Sequence, residues 1–222
     1  MAFNKAAIEF GIIGLGRFGF ALATTLAEAG KDVMVVDNNE AKIKQIRNLT
    51  ENAFVVGPLD KETLQETGIQ NCGTVIVCIG EKIDTSILTT LTVISMGVPR
   101  VIAKAISYEQ GCILEKLGAE VIYPESDMAI RLAQRLISST TLDFINLRDD
   151  VTISELKLTK KIAGQTVAQA NLRKKFNLNI IALEQNNTTT IEVEPERTLM
   201  ENDVIVVVGK KENIKKFELF LV

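Results

Sequence analysis

The chain has 222 residues, with 25 Lys plus Arg against 28 Asp plus Glu, a formal net charge of −3. That balance excludes non-specific grip on nucleic acid, which needs a strong positive excess. A content of 46 % hydrophobic and 24 % charged residues is globular rather than disordered. Histidine is absent, which excludes His-based triads, His-ligated zinc and imidazole acid–base chemistry.

Short β-branched runs come first: Phe10–Ile13, Val33–Val36, Ala53–Val56, Thr74–Ile79, Arg100–Ala103 and Val121–Ile122. Their starts are spaced by 20 to 26 residues, the rhythm of β-α units whose helices return the chain for parallel pairing. Runs apolar at nearly every position are buried on both faces, so six of them predict an α/β, Rossmann-like, doubly wound parallel sheet. The intervening helices have readable ends. Gly30 closes the first. Asp84 or Thr85 opens a helix carrying Leu88, Leu91 and Ile94, closed by Gly97. Ser107 caps a helix closed by Gly118. After Pro124, Met128, Leu132, Ala133, Leu136 and Ile137 cover more than one helical face, which suits a crossover helix packed on a second subunit.

The pattern changes near residue 140. Val151–Leu158 alternates apolar and polar residues, Val167–Phe176 reads as one short helix, and Leu178–Leu183, Thr190–Val193 and Asp203–Gly209 read as strands. Asn186-Asn187 and Glu201-Asn202 are turn sites, and Ile214, Phe217 and Leu221 share one face of a final helix. The expected organisation is therefore a Rossmann domain over 1–140 and a smaller α+β domain over 141–222, linked at about 138–146. Cys72, Cys78 and Cys112 lack metal or redox spacing and read as free thiols of a reducing compartment. No run approaches the roughly 20 apolar residues of a membrane span, and Met1–Lys5 lacks the apolar core of a leader. A membrane role would then come through a partner.

The chemistry concentrates at Gly14-Leu15-Gly16-Arg17-Phe18-Gly19. This G-x-G-x-x-G follows a strand and opens a helix, and a second strand ends in Asp37, 23 residues after Gly14. In that context it reads as a dinucleotide-type fingerprint. Gly14 permits the tight turn, Gly16 lets the backbone approach a phosphate held by helix N-terminal amides, and Gly19 lets helix and strand pack closely. Asp37 can accept from both hydroxyls of a ribose. Arg17 is a cation in a first helical turn, where it opposes the macrodipole; it either meets a bound polyphosphate or points to solvent. Asn38 either reaches the adenosine or caps the next helix. Gly80 and Lys104 end the fourth and fifth strands at the ligand edge, Lys104 as a phosphate contact or a solvated strand end. Glu125, after the sixth strand, either holds a cation beside a phosphate or serves the helix N-terminus.

These residues, together with Leu88-Thr89-Thr90-Leu91, Lys104-Ala105 and Leu114-Glu115-Lys116-Leu117-Gly118-Ala119, resemble the RCK (KTN/TrkA-N) regulatory proteins, and most of all their KtrA type. The tail, through Asn171-Leu172-Arg173 and Asn179-Ile180-Ile181-Ala182-Leu183, resembles the companion RCK-C (TrkA-C) domain. The resemblance implies a nucleotide-sensing gating subunit of a potassium transport system. It would be a homo-oligomer, commonly an octameric ring of dimers, docked under a KtrB-type membrane K+ transporter subunit at the inner face of the cell membrane. It further implies ATP and ADP competing for the Gly-rich crevice, with NAD(H) as another ligand. Arg17 would reach a triphosphate across the dimer, and Glu125 would contribute to a divalent or monovalent cation site there. In the C-terminal domain it implies an inhibitory cyclic di-AMP site, with Arg173 on a phosphate and Asn179, Ile180 and Pro195 around the adenine. One departure stands out: Gly57-Pro58-Leu59-Asp60 replaces an Asx-Ala-Thr-like segment near the adenine, and Pro58 removes an amide donor there.

The alternatives are a nicotinamide-dependent oxidoreductase and a regulator of another cation channel or antiporter. Against the enzyme, there is no His, neither Tyr108 nor Tyr123 begins a Tyr-x-x-x-Lys, and the second module is small for a substrate domain.

Overall fold

The computed structural model describes residues 8–137 and 140–222. The reading of the first five residues, and Ser138 and Ser139 of the expected link, lie outside that range. The chain divides into two compact units, 1–128 and 129–222.

In the first unit β1 (Ile8–Ile13), β2 (Val33–Asp37), β3 (Ala53–Val55), β4 (Cys72–Val77), β5 (Arg100–Lys104) and β6 (Glu120–Ile122) form one sheet in the order β3-β2-β1-β4-β5-β6. Every neighbouring pair is parallel. The order reverses between β1 and β4, and open α/β sheets place ligands at the carboxyl ends of the strands at such a point. The register sets Ile13 beside Val36 on one side and Val77 on the other, so three strands end together there.

Helices α1 (Arg17–Glu28), α2 (Glu40–Ile46), α3 (Lys61–Thr67), α4 (Ile83–Ser95), α5 (Tyr108–Leu117) and α6 (Pro124–Ile137) follow the strands in turn. Ile13, Val36, Val75, Val77, Val93, Val101 and Leu114 belong to one core cluster, and Ile12, Leu15, Val35, Ile43, Ile46 and Ile76 to another. Adjacent strand residues thus bury opposite faces, as uninterrupted apolar runs require. The expected ends hold with small changes. Ser107 caps α5 by accepting from Gln110 N, and Gly118 closes it at φ +98°. At α4 the cap position is Lys82, with Asp84 inside the first turn. The division between the two compact units falls inside α6.

In the second unit β7 (Thr141–Asn146), β8 (Val151–Lys157), β9 (Asn179–Gln185), β10 (Thr188–Thr190) and β11 (Val204–Lys210) form an antiparallel sheet in the order β10-β9-β11-β8-β7. Helix α9 (Lys211–Leu221) packs on β8 and β11. Leu156, Ile205, Val207, Ile214 and Phe217 bury between them. Phe217 packs edge-on against Phe176, with ring centroids 5.0 Å apart.

Three expectations are corrected here. Residues 141–146 are a strand rather than a link: their backbone pairs antiparallel with β8, from Thr141 opposite Leu156 to Asn146 opposite Thr152. The expected helix over Val167–Phe176 is two: α7 (Val167–Ala170) and α8 (Leu172–Phe176), divided by Asn171 at φ +47°. The left-handed residue stops propagation, and asparagine tolerates it better than other side chains. The strand expected at Thr190–Val193 is β10, ending at Thr190; the Asn186-Asn187 turn, both residues at positive φ, closes a two-residue hairpin and fixes that register.

Candidate functional site

An open cleft of about 690 Å³ lies over the carboxyl ends of β1, β2, β4 and β5. Gly14, Gly16, Arg17, Phe18, Asp37, Asn38, Gly80, Lys104 and Glu125 all line it. Gly19 does not line it, because its task is structural. A Cβ there would sit 2.0 Å from the Gly14 carbonyl oxygen and 3.1 Å from Cys78 Cβ, so only glycine lets α1 approach β1 and β4. Gly14 holds φ +98° and donates its N–H to the Val36 carbonyl. A Cβ on Gly16 would meet no protein atom; its hydrogen faces open space, where a ligand can reach the backbone.

The N-terminus of α1 carries no side-chain cap and no acidic residue in its first turn. Its first amides are therefore available to an anion, with the helix dipole favouring negative charge. Asp37 is buried. Its Oδ2 accepts from Leu15 N at 2.5 Å and its Oδ1 from Asn39 N at 2.8 Å. The carboxylate thus ties the Gly-rich turn to the end of β2, and a carboxylate keeps further acceptor positions for ligand hydroxyls. The cap of α2 is Asn39, which accepts from Ala41 N and Lys42 N. Asn38 is thereby released from the capping alternative and stands exposed on the cleft wall.

Lys104 is nearly buried and ion-paired with Glu125, whose own side chain is 62 % exposed. Gly80 makes room for it: a Cβ there would lie 3.3 Å from Lys104 Nζ. The Lys104 hydrogen bond holds the Glu125 carboxyl below its usual range, and the Arg17 guanidinium adds to that effect. Arg17 itself is exposed at the mouth. Cys78 lines the floor, and burial pushes its thiol up to about 12, which leaves it protonated and unreactive at neutral pH.

The cleft also takes in Lys42, Glu81, Lys82 and Ile106, which the sequence reading did not single out, and Thr85, which it read only as a helix opener, together with Gly57, Pro58 and Leu59. Lys82 and Thr85 follow Gly80 closely, and Lys42 follows Asp37 by five positions. The rule that strand ends form the crevice extends to the few residues after each end, and that extension would have found them. Cationic Arg17, Lys42, Lys82 and Lys104 line the same cleft as the open N-terminus of α1, and Asp37 lines it beside the Gly-rich turn, where it can meet a sugar. The donor set fits a nucleoside di- or triphosphate. It does not by itself fit a cation: among the described residues no group of three or more Cys, Asp or Glu side chains could hold a metal ion, and Glu125 already pairs with Lys104.

In the second unit Arg173 is exposed on α8, Asn179 is exposed at the start of β9, Ile180 is half-buried against the core, and Pro195 is exposed. Two clefts of this unit, one under α9 and one beside Gln185 and Asp203, include none of the four. Among the described residues no helix is long and apolar enough to cross a membrane.

The TrkA-N domain model matches residues 10–124, and the TrkA-C domain model matches residues 149–222. The chain is 35 % identical to the Ktr system potassium uptake protein A of Bacillus subtilis, covering 95 % of both chains. It is 30 % identical to the protein of the same name from Vibrio alginolyticus, covering 93 % of this chain and 94 % of that one. In structure it is similar to the RCK domain of the GsuK channel, with a TM-score of 0.68 and 20 % identity over 99 % of this chain and 49 % of that chain. That likeness is one of fold.

Proposed function

The chain belongs to the RCK family, whose members join a TrkA-N to a TrkA-C domain, and is of the KtrA type; from that membership we propose that it is the nucleotide-sensing regulatory subunit of a potassium uptake system. The observation that carries the nucleotide part is the cleft at the β1/β4 switch point, where uncapped α1 amides, Arg17, Lys104 and Asp37 converge. ATP and ADP are the ligands this charge pattern suits, with NAD(H) as a further occupant of the same crevice. A bound polyphosphate supplies negative charge that can replace protein carboxylates as the partner of nearby cations. Asp37 orients the sugar, the α1 amides hold the inner phosphates, and exposed Arg17 reads the terminal phosphate of a nucleotide held by its own chain or a neighbouring copy. A ligand shifts a two-state assembly only by its differential affinity for the two states, and a terminal phosphate on Arg17 provides that difference between ATP and ADP. The role asks for binding, not hydrolysis.

The assembly follows from exposed apolar side chains. On α6, Met128, Ile130, Leu132, Leu136 and Ile137 are each more than half exposed, an arrangement suited to burial against a second copy. In this reading the copies form a homo-oligomeric ring that acts on a KtrB-type membrane K+ transporter subunit, so the chain sits peripherally at the membrane through that partner. Glu125 joins a cation site once phosphate oxygens and a neighbouring copy complete the shell. Arg173, Asn179, Ile180 and Pro195 receive cyclic di-AMP between two C-terminal units.

The test is a thermal-shift panel with ATP, ADP, NADH and cyclic di-AMP, with and without Mg2+, repeated on Arg17→Ala. A ligand at 100 times its Kd stabilises by about 2.7 kcal/mol, and each kcal/mol raises the melting temperature by about 2–4 °C for a chain of this size. Shifts of several degrees with ATP and ADP, the ATP shift reduced in the variant, are expected. Shifts with NADH alone, indifferent to Arg17→Ala, would overturn the reading.

A further inference from the structure

A second chamber, of about 220 Å³, lies in the C-terminal unit between α9 and the β7–β8 face. Its walls are apolar, from Ile137, Phe144 and Ile214. Its floor is not. Thr152 and Ser154 are 5 % and 3 % exposed, on the strand face that Leu156 continues as ordinary core. The Thr152 hydroxyl bonds to Asn146 Oδ1 at 3.2 Å. The Ser154 hydroxyl has no hydrogen-bond partner among the described residues. The residue is buried but its hydroxyl opens into the chamber it lines, where it is free to bond to whatever enters.

The charge at the opening defines what enters. Lys211 and Lys215 of α9 line the chamber, one helical turn apart and therefore on one face. The N-terminus of the same eleven-residue helix has no side-chain cap, but its first amide donates to the Asp150 carbonyl and Glu212 stands in its first turn, so the lysines rather than the helix end supply the positive charge. Glu218, the chamber's carboxylate, is already engaged with the Thr141 hydroxyl. The strand register places Asn146 opposite Thr152 and Phe144 opposite Ser154, with Lys210 opposite Val151. Asn146, Thr152 and Lys211 therefore gather toward the start of α9, the Thr141–Glu218 pair lies further along it, and Phe144 and Ile214 form the apolar wall between.

The geometry points to a binding site for a small amphiphilic anion: a carboxylate or phosphate head at Lys211 and Lys215, an apolar body against Phe144 and Ile214, and a hydrogen bond from Ser154. The volume lies below the roughly 300–1,000 Å³ that takes a drug-sized ligand, so a single ring or short chain fits. The site is separate from the nucleotide cleft in residues and in charge arrangement.

The test is ligand-observed NMR on the full chain with benzoate, phenyl phosphate and hexanoate, each against a neutral counterpart, benzyl alcohol or hexanol. The variants are Ser154→Val, which suits a strand and lacks the hydroxyl, and Lys211→Gln, on the exposed helix surface. At least one anion should bind, its neutral counterpart should bind more weakly, and each variant should weaken the anion about tenfold, the fold-change expected for losing one charge-assisted contact. If Ser154→Val fails to fold, Lys211→Gln and the charged-against-neutral comparison decide alone. Absence of binding by all three anions would overturn the proposal, as would equal binding of the neutral counterparts or indifference to the variants.

Discussion

The two units of this chain build surfaces for recognition in different ways. In the N-terminal unit the cleft is made by backbone: a left-handed Gly14, an open Gly16, the first amides of α1 and the carboxyl ends of parallel strands, with Asp37 tying turn to strand. In the C-terminal unit an antiparallel sheet buries one face under α9, and the residues expected to meet a ligand, Arg173, Asn179 and Pro195, stand exposed on separate elements. A backbone cradle at a switch point is assembled by the topology of one chain. A set of exposed side chains needs a second surface to become a site.

The strongest challenge to that contrast removes the C-terminal core. Phe217 is fully buried beneath Phe176 and Phe220, and Phe217→Ala should cost about 3–5 kcal/mol. Urea unfolding should show an earlier transition for the second unit, while ATP still protects the first. Loss of the ATP response in the same variant would mean that the cleft depends on the second unit and is not complete in its own fold.

Next comes the cradle itself. Gly19→Ala drives a methyl into a backbone carbonyl, which cannot yield as a side-chain tip can. Overpacking of this kind costs about 1–3 kcal/mol, and α1 must shift from β1. Nucleotide binding, read by calorimetric titration, should fall further than the stability loss explains, because the α1 amides move with the helix. Unchanged affinity would show that those amides do not hold the phosphates.

These expectations could be argued from the sequence for the first unit because its determinants are local. Three glycines in fixed spacing, a strand before and a helix after, and an acid at the end of the next strand all sit within one β-α-β segment. What stayed hidden there was a long-range pairing: Lys104 and Glu125 are 21 residues apart, and each taken alone is a charge at a strand or helix end. The sequence reading offers Asn38 as a cap of α2, and the structure gives that place to its neighbour Asn39. In the second unit the losses were of another kind. Strand β7, Thr141-Leu142-Asp143-Phe144-Ile145-Asn146, has the weak pattern of an edge strand, half exposed on both faces. Asn171 breaks a helix that side-chain periodicity would have continued. Thr152 and Ser154 read as the polar half of an alternating strand, yet they face the interior.

A smaller test asks how firmly the C-terminal unit holds its short elements. Thr166 and Gln169 form a reciprocal capping box on α7, Gln169 N donating to Thr166 Oγ1 and Thr166 N to Gln169 Oε1. Thr166→Ala should lower stability by about 1 kcal/mol, measured as the urea midpoint at unchanged slope. A change within error would mean that the α7 turn is held by its backbone bonds to Arg197 and Pro195, and that its cap is redundant.

The smallest expected effect distinguishes the two units by pH. Lys104 lowers the Glu125 carboxyl in the first unit, and Arg131 lowers the Asp143 carboxyl in the second. A carboxyl depressed on folding adds stability that is present above its unfolded value, about 4 for either group, and is lost as pH falls through its folded value. Glu125→Gln and Asp143→Asn should each flatten the acid-side fall of the melting temperature and leave its slope near neutrality untouched. Glu125 is largely solvated and Asp143 is about one-third exposed in an ion pair with a half-exposed Arg131, so solvent screening should keep each change near the limit of measurement. A polyphosphate in the cleft separates them. With divalent cation withheld, so that no metal ion links Glu125 to the phosphates, ATP should replace Glu125 as the partner of Lys104, and the Glu125→Gln difference should shrink while the Asp143→Asn difference persists. Equal differences with and without ATP would place the phosphates away from Lys104, and the cleft's inner cation would then belong to the fold rather than to the ligand.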